Sequence, residues 1–235
     1  MSSFFSLSAA VQYFLFLVFI FVPLAGVAGY LRIRSGKPLR PKRQRYVATM
    51  GMQVFILVVT VWAARSEEIE LLGRRWGNPL IWLMVAGYMV LLTLRVRTAW
   101  AKLSDARKKP AARLLPDDHS LMRLWAGVAA LAAISEECAY RGLGYQLLRS
   151  MRVNIALALL VCAATFALGH MTQGWRGVLG TFVLALVFHG LVFLTGALYL
   201  AIAFHAAYNL IVGVIAMPIL REFTAKGDAA QAATA

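Results

Sequence analysis

Charged residues are scarce in this chain, which has 14% charged and 61% hydrophobic residues over 235 positions. A soluble globular domain is nearer a quarter charged and about half apolar. The apolar residues form uninterrupted blocks of roughly 17 to 25 residues, the length that crosses a hydrocarbon core as a helix. The composition therefore excludes an ordinary soluble domain and predicts an integral membrane protein.

Cysteine is almost absent, and the two cysteines, Cys138 and Cys162, both lie inside apolar segments. This number excludes a disulfide framework and favours two small buried side chains. The N-terminus lacks a basic stretch and a small-residue cleavage site, so we expect a retained first span rather than a removed signal peptide. No internal repeat of useful length is visible.

The apolar blocks predict an all-α, polytopic membrane bundle of about seven transmembrane helices, within a range of about six to eight. The predicted spans are 9–31, 46–64, 79–94, 121–148, 153–170, 177–195 and 197–217. We divide the chain into N-terminal spans one to three with basic loops (1–118), a core of spans four to seven (119–218) and a disordered tail (219–235). The tail has too few apolar residues to fold alone.

The formal net charge is +14, but the basic residues crowd two short loops instead of lining one face of a soluble domain. We therefore expect no nucleic-acid partner; short basic loops stay in the cytoplasm and favour anionic lipid headgroups. This pattern predicts an outside N-terminus and an inside C-terminus, although Arg149 and Arg152 would then lie outside. The first basic loop contains Arg32, Arg34, Lys37, Arg40, Lys42, Arg43 and Arg45, and the second contains Arg95, Arg97, Lys102, Arg107, Lys108, Lys109 and Arg113.

Ionisable residues inside the bilayer are concentrated in spans four to seven, where they mark a functional or a tightly paired structural site. In span four, Glu137 and Arg141 are four residues apart and share a helix face, so they can form an ion pair. Glu136 points about 100° away, lacks a local cation and is a plausible general base. The alternative is that both acids only fix helix packing.

Two further polar motifs follow in later spans. His170 ends span five beside Gly169, and His205 and Asn209 share one face of span seven. The last pair can donate hydrogen bonds to an oxyanion or, alternatively, can join helices across the bundle. His189 has no partner at helical spacing, and we interpret it as structural.

The three motifs in this order resemble the intramembrane proteases that include CAAX prenyl endopeptidases and bacteriocin-processing or Abi proteins, the CPBP family. The resemblance covers about residues 120–215 and is carried by Glu136-Glu137-x-x-x-Arg141, Phe166-x-x-x-His170 and His205-x-x-x-Asn209. His189 is a departure, since many relatives would have a small residue there.

The resemblance implies a glutamate-dependent intramembrane peptidase, a hydrolase without a cofactor. Glu136 and His170 would activate a water, and His205 and Asn209 would stabilise the oxyanion. Glu137 and Arg141 would support the Glu136 helix. The expected partners are the lipid bilayer and a membrane protein or lipidated peptide as substrate, and the expected location is the inner membrane of a bacterium.

Three alternatives remain open from the sequence. The first is a zinc-dependent form of the same protease, since Glu136, His170 and His205 resemble the ligands of catalytic zinc, although the chain has no His-Glu-x-x-His helix. The second is a non-enzymatic immunity or scaffolding protein. The third, a proton-coupled transporter, is disfavoured because no inverted repeat is visible.

Overall fold

The structure is a computed structural model that describes residues 7–73 and 78–232, with side chains described as far as residue 226. Over these residues the chain is helical and contains no strand. The first half comprises α1 (Ala9–Arg34), α2 (Lys42–Ser66), α3 (Pro79–Ala101) and the short α4 (Asp105–Leu114). The second half comprises α5 (His119–Glu136), a π-helical segment (Glu137–Gly144), α6 (Tyr145–Ser150), α7 (Ile155–Gly169), α8 (Trp175–Thr195) and α9 (Tyr199–Ala232).

The prediction of an all-α membrane bundle is confirmed. Five helices, α1, α2, α3, α8 and α9, are long and apolar enough to cross a membrane. The predicted span 153–170 is the shorter apolar helix α7, and span 121–148 is the continuous helical stretch from α5 to α6. The chain is therefore an integral, multi-pass membrane protein.

Several helix ends carry caps that the sequence provides. The side chains of Asp118 and Asn154 each accept a hydrogen bond of 2.8 Å from the backbone three residues on, at the starts of α5 and α7. Such caps satisfy amide groups that have no partner within the helix. Gly196 ends α8 in the left-handed conformation, at φ 68°, which glycine adopts without strain.

The two basic loops meet at one end of the bundle. Lys42 forms an ion pair of 2.6 Å with Asp117, and Arg45 donates to the Arg113 carbonyl. At the opposite end, Leu198 donates to the Leu72 carbonyl at 3.0 Å. The sequence predicts both basic loops on one side of the membrane, and this packing agrees with that prediction.

The last helix differs from the sequence prediction. α9 continues past Met217, through Pro218, and is described as helix as far as Ala232. The composition of residues 219–232 suggested a disordered tail, whereas the structure extends the helix of the preceding span through them. Residues 233–235 lie outside the described part of the chain.

A π-helical turn in α1 packs against the π-helical segment that follows α5. The turn spans Leu17–Phe21, and the Tyr140 hydroxyl donates to the Val18 carbonyl within it at 3.3 Å. The rings of Phe19 and Tyr140 lie 6.1 Å apart, edge to face. All eight residues of the second π segment are buried. The contact between the two π segments therefore lies in the buried part of the bundle, and π turns frequently occur at functional sites.

Helix α1 also packs closely on the C-terminal end of α7. A Cβ atom at Gly26 would lie 2.4 Å from the carbonyl oxygen of Leu168 and 2.8 Å from that of Gly169. Only glycine allows two helices to approach so closely at this position. Gly26 therefore fixes the distance between α1 and the residues immediately before His170.

We predict that Gly26→Ala destabilises the protein by about 1–3 kcal/mol, since the added methyl group forces two packed backbones apart. The matched control is Gly51→Ala in α2, where no atom lies within 4 Å of the added Cβ. Thermal unfolding in detergent measures both variants. Equal effects of the two substitutions would contradict the close approach of α1 and α7.

Candidate active site

Glu137 and Arg141 form a buried ion pair in the middle of the bundle. The Arg141 Nη1 atom lies 3.3 Å from Glu137 Oε1, and both side chains are fully buried. Arg141 also donates to the Ala185 carbonyl of α8 at 3.2 Å. Its guanidinium lies over the rings of Phe166 and Phe188, at 4.6 and 5.4 Å from their centroids, where the aromatic faces attract a cation. The sequence spacing predicted this pair, and the structure contains it.

His205 lies between the two adjacent glutamates. Its Nδ1 atom is 2.9 Å from Glu137 Oε1, and its Nε2 atom is 3.7 Å from Glu136 Oε2. The imidazole stacks on Phe188 with ring centroids 5.3 Å apart and is 4% exposed. Because an ionised carboxylate only accepts hydrogen bonds, Nδ1 is protonated and donates to Glu137. The second nitrogen therefore faces Glu136.

Glu136 is held by a residue of α2. Its Oε1 atom accepts a hydrogen bond of 2.7 Å from the amide of Gln53, and the amide oxygen of Gln53 accepts from the Ser135 hydroxyl. Gln53 is 8% exposed, so these two hydrogen bonds lie away from water. The other oxygen, Oε2, is buried without a hydrogen-bond partner among the described residues. One carboxylate oxygen of Glu136 is thus held by Gln53, and the other is buried but has no hydrogen-bond partner among the described residues.

The sequence motifs do not identify Gln53, because they lie in spans four to seven and Gln53 lies in span two. The available signal is an amide side chain in the middle of an apolar span, a group that needs a partner inside a bilayer. The identity of that partner depends on how α2 packs along α5, which sequence spacing does not give.

His170 lies at the C-terminal end of α7 and reaches the same group of rings. Its Nδ1 atom is 2.9 Å from the Phe166 carbonyl, and its ring centroid is 4.7 Å from that of Phe166. The ring centroid of Phe166 also lies 6.2 Å from that of His205. In the described part of the chain, no hydrogen bond or ion pair joins His170 to Glu136 or Glu137. A single aromatic ring therefore separates the two histidines.

Asn209 lies one helical turn after His205 and is held through its backbone. Its carbonyl accepts a hydrogen bond of 2.9 Å from the indole nitrogen of Trp125 in α5. A Cβ atom at Gly213 would lie 2.4 Å from this nitrogen, so glycine makes room for the indole. The contact fixes α9 against α5 next to the polar cluster. The Asn209 side chain itself is half-buried.

His189 and the two cysteines lie apart from these hydrogen bonds. The buried His189 ring is 5.9 Å from the ring of Tyr145, and its Nε2 atom has no partner among the described residues. Cys138 and Cys162 are free and buried, as the sequence predicts. The interpretation of His189 as structural stays a prediction.

The residues do not fit a zinc site in this arrangement. Within the described residues, no group of three His, Cys, Asp or Glu side chains is placed to hold a metal ion. The Nδ1 atom of His205 is bonded to Glu137, and His170 is not joined to either glutamate. The three ligands considered from the sequence are therefore not assembled as a metal centre.

The fold and the cluster define a class of protein: a helical membrane bundle with two adjacent glutamates, an arginine and histidines from separate helices at its centre. Residues 118–211 match the model of a protein family described as type II CAAX prenyl endopeptidase Rce1-like. This match includes all three motifs and confirms the resemblance to the CAAX protease family over that segment. It indicates a protease. Neither a curated protein nor a solved structure matches the chain.

We predict that Gln53 and Glu136 are energetically coupled. Gln53→Leu leaves the buried Glu136 carboxylate without its hydrogen bond, which costs about 1–3 kcal/mol of unfolding free energy. In a Glu136→Leu background the same substitution costs much less, because the group that needs the amide is gone. A double-mutant cycle of unfolding in detergent measures this coupling.

Thr60→Val is the matched control, because Thr60 is a buried polar residue of α2 whose hydroxyl donates to the Ile56 carbonyl of its own helix and, within the described residues, to no other helix. Its effect adds to that of Glu136→Leu. If the effects of Gln53→Leu and Glu136→Leu on the unfolding free energy also add, the two side chains do not interact.

We predict that Arg141 contributes more than Gln53 to the stability of the protein. Arg141→Met leaves the Glu137 carboxylate buried without its cation and lowers the unfolding free energy by about 3–5 kcal/mol. Replacing both residues, by Glu137→Gln with Arg141→Met, recovers part of this loss because no unpaired charge remains. The same unfolding measurement tests both variants, and a double variant that is less stable than Arg141→Met would contradict the pairing.

Proposed function

We propose that this protein is a glutamate-dependent intramembrane endopeptidase that hydrolyses a peptide bond in a membrane-associated protein or peptide precursor. The observation that carries the proposal is the unbonded Oε2 atom of Glu136, which faces His205 Nε2 at 3.7 Å inside the bundle. Buried polar atoms normally have partners. An open carboxylate oxygen beside an imidazole is a position for a reacting water.

The geometry allows one water molecule to contact both groups. Hydrogen bonds to water are about 2.8 Å long, and two atoms 3.7 Å apart can both lie at that distance from a single oxygen. Such a water can pass a proton to Glu136 as its oxygen attacks a carbonyl carbon. Gln53 keeps the other carboxylate oxygen in place throughout.

His205 is placed to stabilise the oxyanion. Its Nδ1 atom lies 2.9 Å from Glu137 Oε1, and its Nε2 atom faces Glu136 Oε2. A hydrogen bond donated by Nε2 is what stabilisation of an oxyanion requires.

His170 and Asn209 have supporting roles in this proposal. The Phe166 carbonyl accepts from His170 Nδ1, so the other ring nitrogen is free to accept a hydrogen bond from water. In this proposal that nitrogen would help to hold or deprotonate the attacking water with Glu136. The Asn209 amide supplies a second donor to the oxyanion, one turn from His205. Glu137 and Arg141 orient His205 and the segment that follows Glu136.

We propose that the protein lies in the inner membrane of a bacterium, with its basic end in the cytoplasm as the positive-inside rule requires. A peptide precursor or another membrane protein fits this setting better as substrate than a prenylated tail. The proposed chemistry needs no metal. A chelator that abolishes cleavage, with recovery on adding zinc, would favour the zinc-dependent alternative.

The first test is a membrane-proteome comparison of cells that carry wild type, Glu136→Ala or His170→Ala at matched protein levels. Both variants are expected to accumulate the same uncut polypeptide, because each removes a group that activates water. The loss of cleavage for Glu136→Ala is expected to be at least about a hundredfold.

The matched controls are Glu222→Ala and His119→Ala, which remove an exposed glutamate and an exposed histidine. They leave cleavage unchanged. If Glu136→Ala changes no fragment while deletion of the whole protein has a phenotype, the peptidase proposal fails. A non-enzymatic immunity or scaffolding role would then take its place.

A further inference from the structure

A cavity of about 580 Å³ lies at the basic end of the bundle, where the loop after α1 meets the start of α2, α4 and the end of α9. We name it the basic pocket. Its cationic lining residues are Lys37, Arg40, Lys42, Arg45, Lys109 and Arg113. Asp117 is the acidic residue in the lining, so the pocket carries a large excess of positive charge.

Most of these cations have no acidic partner among the described residues. Asp117 is already paired with Lys42 at 2.6 Å, and Arg45 donates to the carbonyls of Arg40 and Arg113. The other four have no ion pair with any acidic side chain that the structure describes. Clustered cations repel one another, and an anion in the cavity removes that repulsion. The pocket is therefore complementary to an anionic ligand.

The walls of the basic pocket are fixed by hydrogen bonds within the protein. Arg32 donates to the Pro38 carbonyl at 3.1 Å, which holds the loop after α1. The Tyr46 hydroxyl donates to the Leu114 carbonyl at 2.7 Å, which holds the end of α4 against α2. Arg45 links both walls. A site that is shaped before binding loses less conformational freedom when a ligand enters.

Apolar residues complete one side of the pocket. Ile33 lies next to the last residue of α1, Leu39 follows in the loop, and Phe223 comes from α9. This side lies where membrane-spanning helices end, at the level of lipid headgroups. A ligand that fits must combine negative charge with an apolar portion, which inorganic phosphate and a polyglutamate peptide lack.

We propose that the basic pocket binds the headgroup of an anionic phospholipid. The phosphate oxygens would accept from the arginine and lysine donors, for which a guanidinium is well suited. The glycerol and first acyl carbons would lie against the apolar side. Because Phe223 belongs to the helix that carries His205, a bound headgroup would join the loop after α1, α4 and α9 into one unit. This inference is independent of the proposed peptidase activity.

The test is lipid retention by the detergent-purified full-length protein, measured by native mass spectrometry. The probe is phosphatidylglycerol, with phosphatidylcholine as the neutral reference. Wild type is expected to bind phosphatidylglycerol selectively. A pocket variant that replaces four cations by glutamine is expected to weaken this binding at least about tenfold, because each cation near the headgroup contributes to affinity. These replacements are Lys37→Gln, Arg40→Gln, Lys109→Gln and Arg113→Gln.

A control variant removes the same number of charges outside the basic pocket and is expected to bind like wild type. Its replacements are Arg95→Gln, Arg97→Gln, Lys102→Gln and Arg107→Gln. Equal loss in both variants would overturn the proposal, since binding would then follow net charge alone. If the fourfold pocket variant does not fold, the milder pair Arg40→Gln with Lys109→Gln, both exposed, replaces it.

Competition identifies the ligand. Inorganic phosphate and a soluble polyglutamate peptide are each added to the lipid-bound protein. Neither is expected to displace phosphatidylglycerol. Displacement by phosphate at the lipid's own concentration would assign the pocket to a soluble anion, and displacement by the peptide would assign it to an acidic protein segment. Either result overturns the headgroup assignment.

Discussion

The burial of Glu137 with Arg141 and His205 is the constraint on which the rest of the structure depends. An unpaired charge at this depth would cost several kcal/mol, so polar groups of other helices contact both members of the ion pair. The π segment provides Glu137 and Arg141, α8 provides the Ala185 carbonyl that accepts from Arg141, and α9 provides His205 that contacts Glu137. The arrangement of three membrane helices is thereby tied to this ion pair. Small residues and aromatic rings then fill the space that this arrangement leaves.

The chemistry follows from the difference between two adjacent carboxylates. Glu137 is bonded to a guanidinium and an imidazole, whereas Glu136 is bonded to a neutral amide and keeps one oxygen open. Successive residues of a helix point about 100° apart, so neighbours in sequence face different helices. Glu137 is therefore the glutamate that the fold pairs with a cation, and Glu136 is the one that the proposed mechanism uses as a base. A single imidazole lies between them and connects the two environments.

The sequence predicts those features that depend on spacing within one helix. The Glu137–Arg141 pair and the helical nature of each span are of this kind. The spacing of residues within one helix does not predict contacts between helices. Such contacts depend on how the helices pack, and they include Gln53 with Glu136, the Trp125 indole with the Asn209 carbonyl, and Gly26 with α7. The tail prediction also differs from the structure, because composition does not show that α9 continues beyond its span.

The predicted boundary near residue 118 separates the N-terminal spans from the core that carries the motifs. The candidate active site includes residues from both sides of this boundary. The family match begins at residue 118, yet the hydrogen bond to Glu136 Oε1 comes from α2, and the backbone before His170 packs on α1. Helix α3 differs from α1 and α2, because it has no buried residue. It contacts the core through Tyr88, whose ring stacks on Phe204, the residue before His205. Without α1 and α2, Glu136 would lose its fixed oxygen and the end of α7 its support. The first two helices are therefore part of the candidate active site, although no motif marks them.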